Sequence, residues 1–390
     1  MNFLFPYMAR WKSVNWTRYH QIFTELAREG HTVHVIQSPS QDSKETNFQE
    51  IDVEIPDKLI LHEIKVNPFI WKAKLPLNKL IKKGYYSYKC IKEVKRMVRE
   101  YDIDVLFLYN IPQLPLMDIK GCVKVFDFAD DYTAMLKQEL GVLSNPLLMS
   151  IAQSMLNSMV EKSDLTLAVS KVLADSIKSK NPEKVHVLPN GVDLDHNRIG
   201  LGKELRVKYK TPIIGFIGSF EYFIDFDLIL EGAKHFSEYT FLLVGGGRAF
   251  PKVKQQVEER KLKNVVLTGG VPHAEIYKYI DAMDICLNVF KPIRISHSAC
   301  PIKLFEYLSM KKPVISTRLE ELKYIDQDYL LFADTIEELT VQIRNILQTK
   351  DLLSSKTEQA YNMVKEKYQW SRISTDLIKL IEMKKKSLGG

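Results

Sequence analysis

Short unbroken apolar runs and longer stretches with apolar residues at helical spacing take turns along almost the whole chain. Residues 3–5, 31–37, 60–66, 105–109, 123–127, 165–169 and 185–188 read as strands, because they are short, apolar and bounded by polar or turn-forming residues. Between them, residues 19–28, 85–101, 147–162 and 171–179 carry the apolar period of helices. Strand, helix, strand in that order implies parallel strands with crossover helices. The turn Pro189-Asn190-Gly191 and the polar stretch 193–202 interrupt the alternation. It then restarts, with strands at 213–217, 240–244, 265–268, 285–289 and 314–317 and helices at 227–236, 252–261, 274–282 and 301–309. The expected fold class is α/β, two Rossmann-like doubly wound parallel-sheet domains facing across a cleft, with ligands at the carboxyl ends of the strands. The expected division is residues 1–195, residues 205–365, and a segment 366–390 whose amphipathic helix packs back on the first domain.

Chemistry concentrates where strands of the second domain end. Residues 297–317, HSACPIKLFEYLSMKKPVIST, place polar residues against the start of a helix that runs into a strand. Pro301 is expected in the first helical turn, where a missing N–H costs nothing, and Ser298 just upstream could cap it. The amides of Ile302 and Lys303, with the Lys303 ammonium and the polar flank of His297 and Ser298, then offer an anion site. Leu304, Tyr307 and Leu308 would face the core, leaving Glu306 on another face, where its carboxylate could accept from sugar hydroxyls. Taken alone, this stretch could equally be an ordinary capped helix with a surface Lys and Glu. Gly218-Ser219, Gly245-Gly246-Gly247 and Gly269-Gly270-Val271 follow the other strands, and glycine lets backbone amides approach a phosphate. Turn chemistry explains each one singly; four such loops on one sheet edge sketch a nucleoside diphosphate site. Their spacing is not that of a dinucleotide fingerprint, which disfavours an oxidoreductase.

In the first domain, Asp127, Asp130 and Asp131 follow a strand. Asp127 could satisfy loop amides, whereas Asp130 or Asp131 could be a general base toward an acceptor hydroxyl. The loop 15–20, Asn-Trp-Thr-Arg-Tyr-His, opens the first helix, and Arg18 or His20 could reach acceptor or phosphate, or simply sit on a helix surface. Acidic pairs at Asp102/Asp104, Asp193/Asp195 and Asp225/Asp227 lie in separate segments with no third ligand evident, so no obligatory metal is expected.

The 390 residues, 45% hydrophobic and 26% charged, have a soluble globular composition. Cys90, Cys122, Cys286 and Cys300 form no metal-ligand or disulfide spacing, and a reducing compartment is the expectation. The N-terminal residues lack the order of a leader peptide, and no run reaches the roughly 20 apolar residues of a membrane span. The net charge of +7 is local: residues 72–99 hold ten Lys/Arg against Glu93 alone. Phe69, Ile70, Trp71, Leu75, Leu77, Tyr85 and Tyr86 interleave with them, a mixture suited to anionic lipid headgroups, as is the closing Lys384-Lys385-Lys386. A plain solvated face is the alternative, and nucleic acid is not expected.

The chain resembles the GT-B nucleotide-sugar glycosyltransferases of the group 1 type, especially the branch serving bacterial envelope polysaccharides and resembling uronic-acid transferases. The likeness rests on GHTVHVI at 30–36, VLPNGVD at 187–193, IGFIG at 214–218, LVGGG at 243–247, GVP at 270–272 followed by YIDAMD at 279–284, and PIKLFEYL at 301–308 followed by KPV. The resemblance implies that Glu306 holds the donor ribose, that Lys303 and the amides near Ile302 hold the diphosphate, that Val271 lies near the base, and that Gly218 and Ser219 lie beneath the phosphates. Two departures stand out: Ser298 occupies the place of a family glutamate, and the stretch 218–227 carries none of the basic residues common there. Arg294 or Arg18 could then supplement Lys303, and retention or inversion of stereochemistry stays open. The implied activity is transfer of a sugar from a nucleotide diphosphate sugar, UDP first among the candidates, to a hydroxyl of a saccharide or lipid-linked acceptor, with no obligatory cofactor. Its place would be cytoplasmic, peripheral on the inner face of the membrane. An epimerase of the same fold, or a non-catalytic nucleotide-sugar or membrane-binding protein, is the alternative.

Overall fold

Strands without a wet face need cover on both sides, and the computed structural model of the chain supplies it twice. It describes all residues except 13–15, 40–53, 73–77, 142–143, 179–180, 195–198, 326 and 390. Asn15, Lys74, Leu75, Leu77, Ser179 and Asp195 of the expectations above therefore lie outside the described residues. The chain divides into two units, Met1–Pro189 with Ile373–Gly390, and Asn190–Arg372.

The first unit is built on β1 (Asn2–Tyr7), β2 (Thr32–Gln37), β3 (Leu59–Glu63), β4 (Val105–Leu108), β5 (Val123–Phe128), β6 (Leu165–Ala168) and β7 (Val185–Val187). They form one sheet in the order β3-β2-β1-β4-β5-β6-β7, every pairing parallel. Phe5 of β1 packs its ring 4.5 Å from Phe23 of the helix Arg18–Arg28 and 5.8 Å from Phe107 of β4, the start of the core. The C-terminal helix, Trp370–Gly389, belongs to this unit from Ile373 onward. There the Ser374 hydroxyl donates to Glu29 at 2.6 Å, and Lys385 pairs with Asp104. The crossing thus comes seven residues later than the expected 366, because the start of this helix stays with the second unit, where the Trp370 N–H donates to the Val192 carbonyl at 3.2 Å.

The second unit holds β8 (Ile213–Ile217), β9 (Thr240–Val244), β10 (Val265–Leu267), β11 (Ile285–Asn288), β12 (Val314–Ser316) and β13 (Leu330–Phe332) in the order β10-β9-β8-β11-β12-β13, again all parallel. The order turns around between β8 and β11, so the loops leaving those two strands diverge to opposite faces and open a crevice at their carboxyl ends. The loops bearing Gly218 and residues 289–301 leave from there.

One buried ion pair ties the first unit together. Arg18 reaches from the first helical residue to Asp127 near the end of β5, with Nη2 to Oδ1 and Nε to Oδ2 both at 3.1 Å, and Nη2 also donates to the Leu188 carbonyl at 3.2 Å. Burial pushes the Asp127 carboxyl up and the Arg18 charge opposes it. Removing one partner strands a buried charge, so Arg18→Ala and Asp127→Ala should each cost about 3–5 kcal/mol, and Arg18→Met with Asp127→Leu together less than either alone. Denaturant unfolding measures this; single substitutions costing under about 1 kcal/mol would contradict it.

Candidate active site

The floor of the site is backbone. Gly218 (φ +137°) follows β8 and donates its N–H to the Val244 carbonyl at 3.0 Å; Gly245 (φ +136°) follows β9 and donates to Gly269 at 3.0 Å. A Cβ on Gly245 would lie 2.0 Å from the Gly218 carbonyl oxygen, so the two loops touch main chain to main chain and only glycine fits. Ser219 beyond them is exposed.

The wall is the helix Ile302–Ser309. Leu304, Phe305, Tyr307 and Leu308 are buried, and Tyr307 Oη accepts the Ile217 N–H at 2.8 Å, fixing this helix to the end of β8. Pro301 stands one place earlier than expected. It is the N-cap (φ −72°, ψ 119°), its extended ψ marking it as outside the helix, and Ile302 is the first helical residue. Ser298 does not cap this helix: the chain turns first through the short helix Arg294–His297, and the Ser298 hydroxyl donates back to the Ile295 carbonyl at 3.1 Å. In the same turn His297 Nδ1 and the Ser296 hydroxyl are buried without a hydrogen-bond partner among the described residues, which leaves polar capacity the fold itself does not use.

Lys303 projects over this floor. Its ammonium lies 4.0 Å from the centroid of the Phe216 ring and 5.3 Å from that of Phe290, and a Cβ on Gly218 would come within 2.9 Å of it. No described carboxylate pairs with it. Burial lowers its ordinary value to about 7, opposed by the charge of Glu306. Glu306, 5% exposed, accepts from His273 Nε2 at 3.1 Å. His273 lies two residues past the half-buried Val271, in the loop after β10.

In the first unit the expected acceptor-side residues are structural. His20 is wholly buried: Nε2 donates to the Trp11 carbonyl at 2.9 Å and Nδ1 accepts the Thr17 N–H at 3.0 Å, completing a capping box, so neither nitrogen is left for a ligand. Arg18 is committed to Asp127. Asp131, also buried, caps the helix Tyr132–Leu140, accepting from Ala134 N at 3.0 Å and the Thr133 hydroxyl at 2.8 Å. Its carboxylate is thereby held in place rather than presented as a base. Asp130 differs: its side chain is exposed and makes no hydrogen bond or ion pair among the described residues. Its carboxyl is pushed up to about 7 by the protein packed around it and then by the Asp127 charge, with Arg18 pulling the other way. Water at its exposed side screens these charges.

The structure thus brings Gly218, Gly245 and Lys303 together and sets Glu306 against His273 on the same sheet edge. His273 and Tyr307 Oη were not singled out by sequence. The only sequence signal for His273 is its place just beyond the GVP stretch.

Two family models match along the chain: Glycosyltransferase Family 4 over residues 17–196 and Glycosyl transferases group 1 over residues 211–349. TuaH of Bacillus subtilis (strain 168), named for teichuronic acid biosynthesis, is 26% identical over 230 residues, covering 57% of each chain. O-antigen chain mannosyltransferase C of Escherichia coli is 26% identical over 254 residues, covering 62% of this chain and 64% of its own. The chain therefore spans about three fifths of the length of these curated relatives. Among solved structures, sucrose-phosphate synthase from Thermosynechococcus elongatus (TM-score 0.76, 13% identity, 98% of both chains) shares the fold. So does HepE of Anabaena in complex with UDP and glucose (TM-score 0.70, 13% identity, 98% of this chain and 99% of that one). Two parallel Rossmann-like sheets of seven and six strands, with the last helix returned to the first, are the GT-B architecture. The first part of the chain is thus similar to one glycosyltransferase family and the second to the group 1 glycosyl transferases, on that fold.

Proposed function

We propose that this protein transfers a sugar from a nucleoside diphosphate sugar, a UDP-sugar first among the candidates, to a hydroxyl of a saccharide or lipid-linked acceptor in envelope glycan synthesis. The observation that carries this is the Lys303 ammonium, unpaired among described residues and set beside Gly218 at the edge of a glycine-built floor. The bound UDP of HepE and the polysaccharide names of TuaH and the mannosyltransferase support the substrate class.

In this reading the diphosphate lies over Gly218, Ser219 and Gly245, against the Ile302 and Lys303 amides and the Lys303 ammonium, with His297 and Ser298 flanking. Val271 borders the base and Glu306 accepts from the ribose. As the bond from the anomeric carbon to the diphosphate oxygen breaks, its electron pair leaves on the diphosphate, and Lys303 with the helix amides stabilises that charge. If the reaction inverts, Asp130 takes the acceptor proton; if it retains, the acceptor attacks from the leaving-group face and needs no such base. Among the unit-one candidates Asp130 alone combines exposure with a raised carboxyl.

A screen of nucleotide sugars for nucleotide release, with and without membrane extract, tests the reading. Lys303→Ala should lower kcat/KM by roughly a hundred- to a thousandfold, the order seen for loss of a charge-stabilising donor. Glu306→Ala should act mainly by raising KM. Wild-type rates in both variants, or no nucleotide sugar bound by the wild type, would refute it.

We further propose that the acceptor is met at an anionic membrane surface, at the inner face of the cell membrane. No described helix is long and apolar enough to cross a membrane. Exposed Phe69 (88%), Ile70, Ile81 and Tyr88 accompany exposed Lys89, Lys92, Lys95 and Arg99 on and before the helix Asn78–Glu100, while Trp71 and Tyr86, expected on that surface, turn into the core. Tyr86 is drawn in by the hydrogen bond its hydroxyl donates to the Ile36 carbonyl. Replacing Lys89, Lys92 and Lys95 by Gln should weaken binding to anionic vesicles roughly a hundredfold, at about 1 kcal/mol per charge. Unchanged binding removes this surface from the account.

A further inference from the structure

We infer that His273 is a positioning residue that aims the Glu306 carboxylate at the ribose of the nucleotide, an inference that rests on the donor-site reading above. Glu306 is a buried carboxylate whose only hydrogen bond among the described residues comes from His273, Nε2 to Oε1 at 3.1 Å. A carboxylate so placed needs a hydrogen-bond donor and a fixed direction to be selective. The imidazole supplies both. It occupies one oxygen, and no described residue donates to Oε2, which is left to accept a hydroxyl. The imidazole is itself held. His273 opens the tight turn His273–Glu275, closed by the Glu275 N–H on the Pro272 carbonyl at 2.9 Å, and its ring meets the buried Tyr277 ring edge-on, centroids 6.3 Å apart.

The pair also joins two elements far apart in the sequence. His273 belongs to the loop after β10 and Glu306 to the helix that follows β11, 33 residues further along the chain. With the imidazole at 27% side-chain exposure and the carboxylate at 6%, a ligand approaches from the imidazole side and meets the carboxylate already turned. The ligand class this suits is a ribonucleotide, whose vicinal 2′,3′-diol can give one hydroxyl to Oε2. A deoxy analogue leaves that oxygen without its hydrogen bond, which is how a polar site rejects a ligand that lacks a hydroxyl.

The test is calorimetric binding of UDP, GDP and ADP, each against its 2′-deoxy and 3′-deoxy forms, to the full chain. Wild type should prefer the ribo form over one of the deoxy forms at least tenfold. His273→Ala should reduce that preference to about twofold or less, His273→Gln, whose amide can still donate, should keep part of it, and in a Glu306→Gln background His273→Ala should change nothing further. A merely structural role would weaken ribo and deoxy forms alike and leave their ratio untouched. If His273→Ala does not fold, the ratio in His273→Gln and its coupling to Glu306→Gln carry the test. An unchanged ratio, or additive effects of the two substitutions, overturns the role of His273 while nucleotide binding stands. A wild type that takes deoxy forms equally well does the same, and one that binds no nucleotide overturns the donor-site reading and this inference together.

Discussion

The second unit depends on one close approach: the loops after β8 and β9 meet backbone to backbone, with no room for a Cβ between Gly245 and the Gly218 carbonyl. Both glycines hold positive φ, and their N–H groups tie the loops to the Val244 and Gly269 carbonyls. That leaves a floor of main-chain polar groups, and the side chains that matter arrive from the next element along. The Tyr307 hydroxyl on the Ile217 amide sets the height of the helix Ile302–Ser309 above the floor. Lys303 and Glu306, on one flank of that helix, are placed by the same contact, and His273 closes the far side.

The energetic character of the two units differs accordingly. In the first, the polar groups near the strand ends are spent on the fold: Arg18 on Asp127, His20 on Trp11 and Thr17, Asp131 on the cap of the next helix. In the second, the Lys303 ammonium lies over the Phe216 ring, and His297 Nδ1 and the Ser296 hydroxyl are buried without a partner among the described residues. Buried polar atoms without such a partner occur in the first unit too, Trp71 Nε1 among them; His297 Nδ1 and the Ser296 hydroxyl differ in lying on the segment that leads into the Lys303 helix, where a ligand could meet them.

Most strands were legible in the sequence because buried parallel strands are short apolar runs, and the β8 and β9 ranges agree to the residue. The three-residue β13 was not, since Leu330–Phe332 has too little length for a period to show. Helices Ile336–Gln348 and Lys350–Lys367 were also passed over. Of the proposed site, the glycines, Lys303 and Glu306 were legible as candidates from loop chemistry and family likeness. His20 and Arg18 could not be told from ligands, because sequence shows a side chain's chemistry but not what it is hydrogen-bonded to. His273 was missed for the same reason, its partner being 33 residues away.

The central claim is that the Lys303 ammonium receives the diphosphate, and its lowered value near 7 makes the claim measurable. An anion beside it must raise that value, so binding should take up a proton between pH 7 and 9. Below pH 7 Lys303 is charged in both states and affinity is level on this account; above it the free protein loses the charge first and affinity falls, at most about tenfold per pH unit. Calorimetry of UDP binding in buffers of different ionisation enthalpy reads both quantities. The account predicts proton uptake and falling affinity in the wild type and neither in Lys303→Arg. Equal affinity across that range with no proton uptake, or the same slope in Lys303→Arg, would contradict it.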